Sequence, residues 1–219
     1  MKYYYYIGLY TILLSSLAFV SVAQTADVEN DYSNEIGFNT TFLLNGVFKS
    51  TSTPFSLMYK KYKDNNNPLR LGIRMSIGLS IIDTPPSHYS NASSFYFAAV
   101  IGKEFQKEIS QRWRWYFGGD IIPAYKHDYY KYNPLGTDYV HSTKINGVSI
   151  GISPFLGLRF NLNKRLYLST EINLRPTYSY AWINEESGIG NDTTTLDRVI
   201  GEFNFSINPG YELFLYYRF

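Results

Sequence analysis

The residues nearest to a catalytic vocabulary are three histidines, His88, His127 and His141. Histidine is the side chain whose ordinary pKa suits it to general acid–base work near neutral pH. Asp128 adjoins His127, while Ser142 follows His141 with Asp138 just upstream. Serine, histidine and a carboxylate are the parts of an acyl-transfer triad, but only if they meet in space within hydrogen-bond reach. Neighbours in sequence do not supply that geometry. The expectation is therefore three solvated loop histidines, no catalytic residue and no enzyme.

Metal chemistry is approached by Glu185, Glu186, Asn191 and Asp192, whose oxygens suit a hard cation. Their spacing is not that of an EF-hand loop, so a solvated acidic loop is expected, with no metal and no cofactor. The chain has no cysteine. That removes thiol nucleophiles, zinc–thiolate sites, disulfides and a cysteine-linked lipid anchor. The formal net charge of +2 gives nucleic acid no electrostatic hold.

A third set of chemically capable residues is less conventional. Arg70, Arg74, Arg114, Arg159 and Arg175 and the carboxylates Asp120, Glu171, Glu202 and Glu212 occur inside segments that otherwise alternate apolar and small polar residues. Arg218 and Glu104 share this setting. What such charges do depends on the elements that hold them.

Those elements read as strands. From Leu69 to Ser80 one parity is Leu69, Leu71, Ile73, Met75, Ile77 and Leu79, and the other is Arg70, Gly72, Arg74, Ser76, Gly78 and Ser80. A period of two sends alternate side chains to opposite faces of a strand. The pattern recurs over Val148–Asn161, Leu166–Tyr180 and Phe203–Phe219, and more weakly over Glu35–Val47, Phe55–Tyr62, Phe95–Phe105 and Trp113–Tyr125. The connections 63–68, 106–111 and 161–165 are short. Those at 83–94, 126–146 and 183–199 are long and rich in Tyr, Asn, Thr, Ser and Asp, and predict surface loops; 49–53 is the short member of that class. The Tyr-rich stretch His127–Tyr139 has the composition of a contact surface.

This predicts an all-β fold, a closed antiparallel transmembrane up-and-down barrel of eight strands over 35–219. Strands of about 9–11 residues suffice to cross a bilayer. A soluble barrel would turn its apolar face inward. Here the polar parity is Gly, Ser, Asn and Thr, sized for a crowded lumen, and only 17% of residues are charged against roughly 25% in soluble domains. The arginines and carboxylates are then expected to form an ion network that plugs the lumen. Aromatics make up 18% of the chain. Those at strand ends, Trp113, Trp115, Tyr217 and Phe219 on one side and Tyr178 and Tyr180 on the other, predict two girdles around a lipid-facing belt.

The N-terminus predicts export. Lys2, the apolar run Ile7–Val22 and the small residues Ser21 and Ala23 form a signal peptide over 1–23, followed by a short periplasmic lead-in over 24–34.

The ending Tyr211-Glu212-Leu213-Phe214-Leu215-Tyr216-Tyr217-Arg218-Phe219 resembles the C-terminal assembly signal of outer-membrane β-barrel proteins. Together with the alternating strands, the loop asymmetry and the leader, the chain looks like the eight-stranded outer-membrane protein A/X/W-like superfamily. That resemblance implies placement in the outer membrane of a Gram-negative cell. It implies outer-membrane lipid and lipopolysaccharide as partners, and recognition by the barrel-assembly machinery through Tyr217 and Phe219. The expected role is a membrane scaffold that displays surface loops in a structural, adhesive or binding role, with an extracellular loop ligand as a further candidate partner. Two alternatives stay open: a small-solute pore, and a lipid-A-modifying enzyme of the kind that carries a Ser/His arrangement near the barrel rim.

Overall fold

In a computed structural model, residues 32–40, 55–63, 67–84, 88–134, 139–189 and 192–219 are described. The signal peptide over 1–23, the lead-in as far as residue 31, the last part of the strand expected to reach Val47 and the connection at 49–53 lie outside the described residues. Eight strands follow in order: β1 (Asn34–Asn39), β2 (Phe55–Lys61), β3 (Leu69–Thr84), β4 (His88–Glu108), β5 (Trp113–Pro134), β6 (Tyr139–Asn161), β7 (Leu166–Ile189) and β8 (Asp192–Arg218). Each pairs antiparallel with the next, and β1 pairs with β8, so the sheet closes into a barrel. Closure runs through Glu35↔Arg218, Ile36↔Tyr217 and Gly37↔Tyr216. A closed sheet leaves its backbone groups paired within the ring, the condition for strands to cross a lipid core.

The two faces are divided as the alternation requires, but inside out relative to a soluble barrel. On β3, Leu69, Leu71, Ile73, Met75 and Ile77 point outward and are exposed, while Arg70 and Arg74 point inward and are buried. Ile101, Phe117, Ile121, Ile150, Ile152, Leu156, Ile172 and Leu174 continue the outward apolar surface around the ring. Leaving so much apolar area in water would be costly at about 25 cal/mol per Å². Hydrocarbon removes that cost.

The height of the belt fits a bilayer. Outward aromatics on β4 are Phe105 near one end and Phe95 and Phe97 near the other, and on β5 they are Trp115 and Tyr125. Ten residues at about 3.3 Å rise, tilted by about 40°, climb about 25 Å, the height of an outer-membrane apolar band. Lys103 is the outward cation near the lower edge of β4. Its ammonium sits 5.4 Å from the Phe105 ring centroid, placed to snorkel toward the head groups.

At the end that carries Asn34 and Phe219 the two turns described in full are tight. Between β4 and β5 the Trp113 amide donates to the Ser110 carbonyl at 3.2 Å. Between β6 and β7 the Asn163 side-chain oxygen accepts from the amides of Arg165 and Leu166, both at 2.8 Å, an Asx-type closure.

The opposite end corrects the sequence reading. The segments 83–94, 126–146 and 183–199 are not long loops: most of each is strand. Pairing continues as far as Thr84↔His88, Tyr132↔His141 and Ile189↔Asp192. β4 has 21 residues and β8 has 27, about twice what a crossing needs. Beyond the lipid both faces meet water, so apolar alternation disappears while the backbone ladder persists. Tyr129, Tyr130, Tyr132, Thr143, Thr193, Thr194 and Thr195 favour the extended conformation. Cross-strand polar pairs then replace apolar ones: the Asn184 amide donates to Asp197 at 2.7 Å, and Arg198 meets Glu185 at 2.6 Å.

Candidate functional site

The lumen is where the chain concentrates its charge. Parity places Glu35 of β1, Lys60 of β2, Arg70 and Arg74 of β3, Glu104 of β4, Asp120 of β5, Arg159 of β6, Glu171 of β7, and Glu212 and Arg218 of β8 on the inner face. Every strand contributes, and the cations and carboxylates in that set are equal in number.

Arg70 is the hub. It lies 3.1 Å from Glu104, 3.3 Å from Asp120 and 3.1 Å from Glu171, and is fully buried. Lys60 completes the layer at 2.8 Å from Glu104. Toward the termini a second layer centres on Glu35, 3.4 Å from Arg159 and 3.1 Å from Arg218. Glu35 also accepts a hydrogen bond from the Tyr167 hydroxyl. Asn161 links the two arginines, accepting from Arg159 at 3.0 Å and Arg218 at 2.6 Å. Gln106 joins the layers: its amide donates to Glu104 at 2.6 Å, and its oxygen accepts from Arg159 at 3.2 Å.

Aromatic rings fill the space between the charges. Tyr167 and Tyr216 stack at 4.7 Å. The Arg159 guanidinium lies 3.8 Å from the Tyr167 centroid, Arg70 lies 3.9 Å from that of Phe155, and the Lys60 ammonium lies 4.4 Å from that of Tyr216. Away from water each such contact adds to the ion pairing. Two glycines make room for these rings. A Cβ on Gly37 would come within 2.3 Å of the Tyr216 ring, and one on Gly157 within 2.1 Å of the Tyr116 ring. Glycine at both positions lets a tyrosine on the adjacent strand lie flat across the wall.

Not every charge expected in this network joins it. Arg114 sits at the terminal end, and its one ion-pair partner among the described residues is Glu108, at 3.7 Å. Arg74 lies above the hub and meets Glu212 at 3.4 Å. Arg175 has no carboxylate within ion-pairing distance among the described residues. Glu202 is exposed on β8, level with the girdle residues Tyr178 and Tyr180, and makes no ion pair among the described residues. Four major parts of the site were not assigned from sequence: Glu35, Lys60, and the rings of Tyr116 and Tyr167. The signal for the first two was the parity of their own short strands, since Ile36 and Phe38 face outward beside Glu35, as do Leu57 and Tyr59 beside Lys60.

The strand pleat also separates the residues with catalytic potential. His127 faces outward, its Nδ1 2.8 Å from the Asn146 side-chain oxygen, while the adjacent Asp128 points inward and pairs with Lys126 at 2.6 Å. His141 lies 3.3 Å from the Thr143 hydroxyl, while its neighbour Ser142 takes the other face and reaches Glu186 at 3.5 Å. Glu185 and Glu186 part in the same way. Asp138 and Asn191 lie outside the described residues, and so does the side chain of His88. Among the described residues no group of three or more His, Asp or Glu is placed to hold a metal ion.

The expected girdle residues Trp113, Trp115, Tyr178, Tyr180, Tyr217 and Phe219 are all exposed on the outer face. Trp113 packs on Phe160 at 4.7 Å and Tyr180 on Trp182 at 4.9 Å, at opposite ends of the belt.

No protein-family model matches this chain, and no curated protein sequence matches it. Among solved structures it is similar to CarO of Acinetobacter baumannii, at 9% identity over 89% of this chain and 100% of that one, with a TM-score of 0.38. CarO2 of the same organism aligns at 9% identity over 86% and 98%, with a TM-score of 0.39. Ail, the attachment invasion locus protein of Yersinia pestis, aligns at 15% identity over 85% and 93%, with a TM-score of 0.36.

Proposed function

We propose that this chain is an exported outer-membrane barrel of a Gram-negative envelope that works as a plugged scaffold, raising β-hairpins above the membrane to meet surface partners. The observation that carries this reading is the mismatch between strand length and membrane thickness. β5 to β8 run for 22 to 27 residues, although about 9–11 suffice to cross. The surplus stands outside as continuous sheet, a rigid platform rather than a set of loose loops. The ion layers support the plug half of the reading, because small barrels are filled by side chains rather than by water. Outer-membrane lipid and lipopolysaccharide contact the belt and its girdles. The last strand, with Tyr217 and Phe219, is the segment offered to the assembly machinery.

The test joins placement to permeability. Expressed with its leader in a Gram-negative host, the protein should fractionate with outer membranes and begin at Gln24. In planar bilayers it should give no discrete, reproducible openings. Recovery in the soluble periplasm, or steady single-channel steps, would overturn the reading.

A further inference from the structure

The lower edge of the lipid-facing belt is not charged evenly. Lys61 of β2 and Lys103 and Lys107 of β4 are exposed on the outer face there. At the corresponding level β6, β7 and β8 present Leu158, Leu166, Leu168, Leu215 and Tyr217, while the cations on that side, Lys164 and Arg165, lie in the turn. A collar that only anchored the barrel among head groups would run around the whole ring. This one is confined to one side. The carboxylates next to these lysines in sequence do not neutralise them. Glu104 turns into the lumen to Lys60 and Arg70, and Glu108 meets Arg114 at 3.7 Å. Lys103 and Lys107 have no ion-pair partner among the described residues. Beside them the wall is a ladder of three pairs: Lys107 is in register with Trp115, Phe105 with Phe117, and Lys103 with Gly119. Phe105 and Phe117 stack at 5.5 Å, under the Lys103 ammonium, which lies 5.4 Å from the Phe105 centroid. Gly119 then interrupts the apolar surface. It is exposed on the outer face, and a Cβ built on it would meet nothing within 4 Å. Phe117 and Ile121 flank it along β5, and Pro154 of β6 is its register partner. The missing side chain leaves a notch in the lipid face, about 10 Å above Trp115 for four residues of a tilted strand.

We infer that the outer face of β4 and β5 binds one anionic glycerophospholipid of the leaflet on this side, the periplasmic leaflet under the proposed placement. Its phosphate sits between the Lys103 and Lys107 ammoniums, over the Phe105–Phe117 pair, and an acyl chain runs upward across Gly119. Lysine serves such a phosphate as a point charge. Two cations without a carboxylate partner favour a head group of net negative charge over a zwitterionic one. The notch accepts chain methylenes against Phe117, Ile121 and Pro154, contacts that a side chain at Gly119 would displace. The site rests on the belt facing lipid, and it requires nothing of the lumen or of the raised hairpins.

Native mass spectrometry of the protein refolded in detergent micelles, with dioleoyl phosphatidylglycerol or dioleoyl phosphatidylcholine added, counts the lipids that stay bound. One phosphatidylglycerol should be retained at a concentration about five- to tenfold lower than phosphatidylcholine needs. Lys103→Gln should remove most of that preference, while Lys144→Gln, beyond the belt, should leave it unchanged. Lys103→Arg keeps the charge in case the glutamine variant refolds poorly, and should keep the preference. Gly119→Leu fills the notch without touching a charge and should weaken retention of both lipids. Glycerol phosphate, which carries the charge but no chains, should not displace the bound lipid at equal concentration; displacement would reduce the site to a phosphate contact and overturn the lipid assignment. Equal retention of the two lipids, or phosphatidylglycerol retention unaffected by Lys103→Gln and Gly119→Leu, in a protein that folds only with detergent or lipid, would overturn the site itself. A protein that refolds in plain buffer would instead contradict the lipid-facing belt.

Discussion

Replacing Arg70 with methionine is expected to cost about 3–5 kcal/mol of barrel stability, the range for removing one partner of a buried ion cluster. The size of the effect follows from what is left behind. Without the guanidinium, Glu104, Asp120 and Glu171 share one enclosed layer with only the Lys60 ammonium, which lies 2.8 Å from Glu104. Methionine matches much of the lost volume, so the penalty is electrostatic rather than a cavity. Glu171→Gln alone should be milder, because Arg70 keeps Glu104 and Asp120. The double variant Arg70→Met/Glu171→Gln should recover part of the loss, with a coupling of about 0.5–3 kcal/mol. Urea unfolding of each protein refolded in bilayers measures this. A lumen filled with water would hydrate the stranded carboxylates, and Arg70→Met would then cost less than about 1 kcal/mol, as an exposed pair does.

The neighbouring face of the same strand carries the second large effect. Ile73 points outward midway between the aromatic rims, in register with Leu57 and Ala99. Ile73→Arg should destabilise the inserted barrel by about 2–4 kcal/mol, the midplane penalty for a cation on the lipid face. Ile77 also faces outward but lies level with Phe95 at the rim, so Ile77→Arg should cost only about 0–1 kcal/mol. This depth dependence separates lipid from a dry protein core, where both changes would be severe. Equal penalties at the two positions in bilayer unfolding would contradict the assignment of the belt. The inner face gives a contrasting case at Gly72. An added Cβ there would approach the Met58 sulfur at 2.8 Å and the Leu57 backbone oxygen at 3.0 Å, so a larger residue requires the buried Met58 side chain and the β2 backbone to shift.

How much of this was written in the sequence depends on where lipid supplies the signal. Leu69–Ser80 could be read residue by residue, because hydrocarbon on one side and a crowded lumen on the other impose opposite demands on neighbouring positions. The same logic misread 126–146 and 183–199 as loops. Water bathes both faces there, so Asn184 and Asp197, or Arg198 and Glu185, pair across strands without an apolar alternation to reveal them. Composition told which charges sit in strands but not which of them meet. Arg70 and Arg175 occupy similar patterns, yet one is held by three carboxylates and the other by none among the described residues. That difference is set by barrel register, which brings β3, β4, β5 and β7 to one level and is not encoded locally. Glu35 shows the opposite limit. The described part of its strand is six residues, and over them the alternation is weak although the parity is correct.

The central claim is that the barrel presents its apolar face to lipid, and its own tryptophans report on it. The sequence has three, and Trp113, Trp115 and Trp182 are all exposed on the outer surface, the first two near the terminal end of the belt and the third near the hairpin end. In vesicles made with lipids brominated at defined acyl positions, their fluorescence should be quenched. Quenching should be strongest for bromines near the head groups and weaker for those at the bilayer centre, as girdle residues require. Iodide in the water should quench little. Tryptophan emission indifferent to the brominated lipids but readily quenched by iodide would show that this face meets water, and would contradict the account.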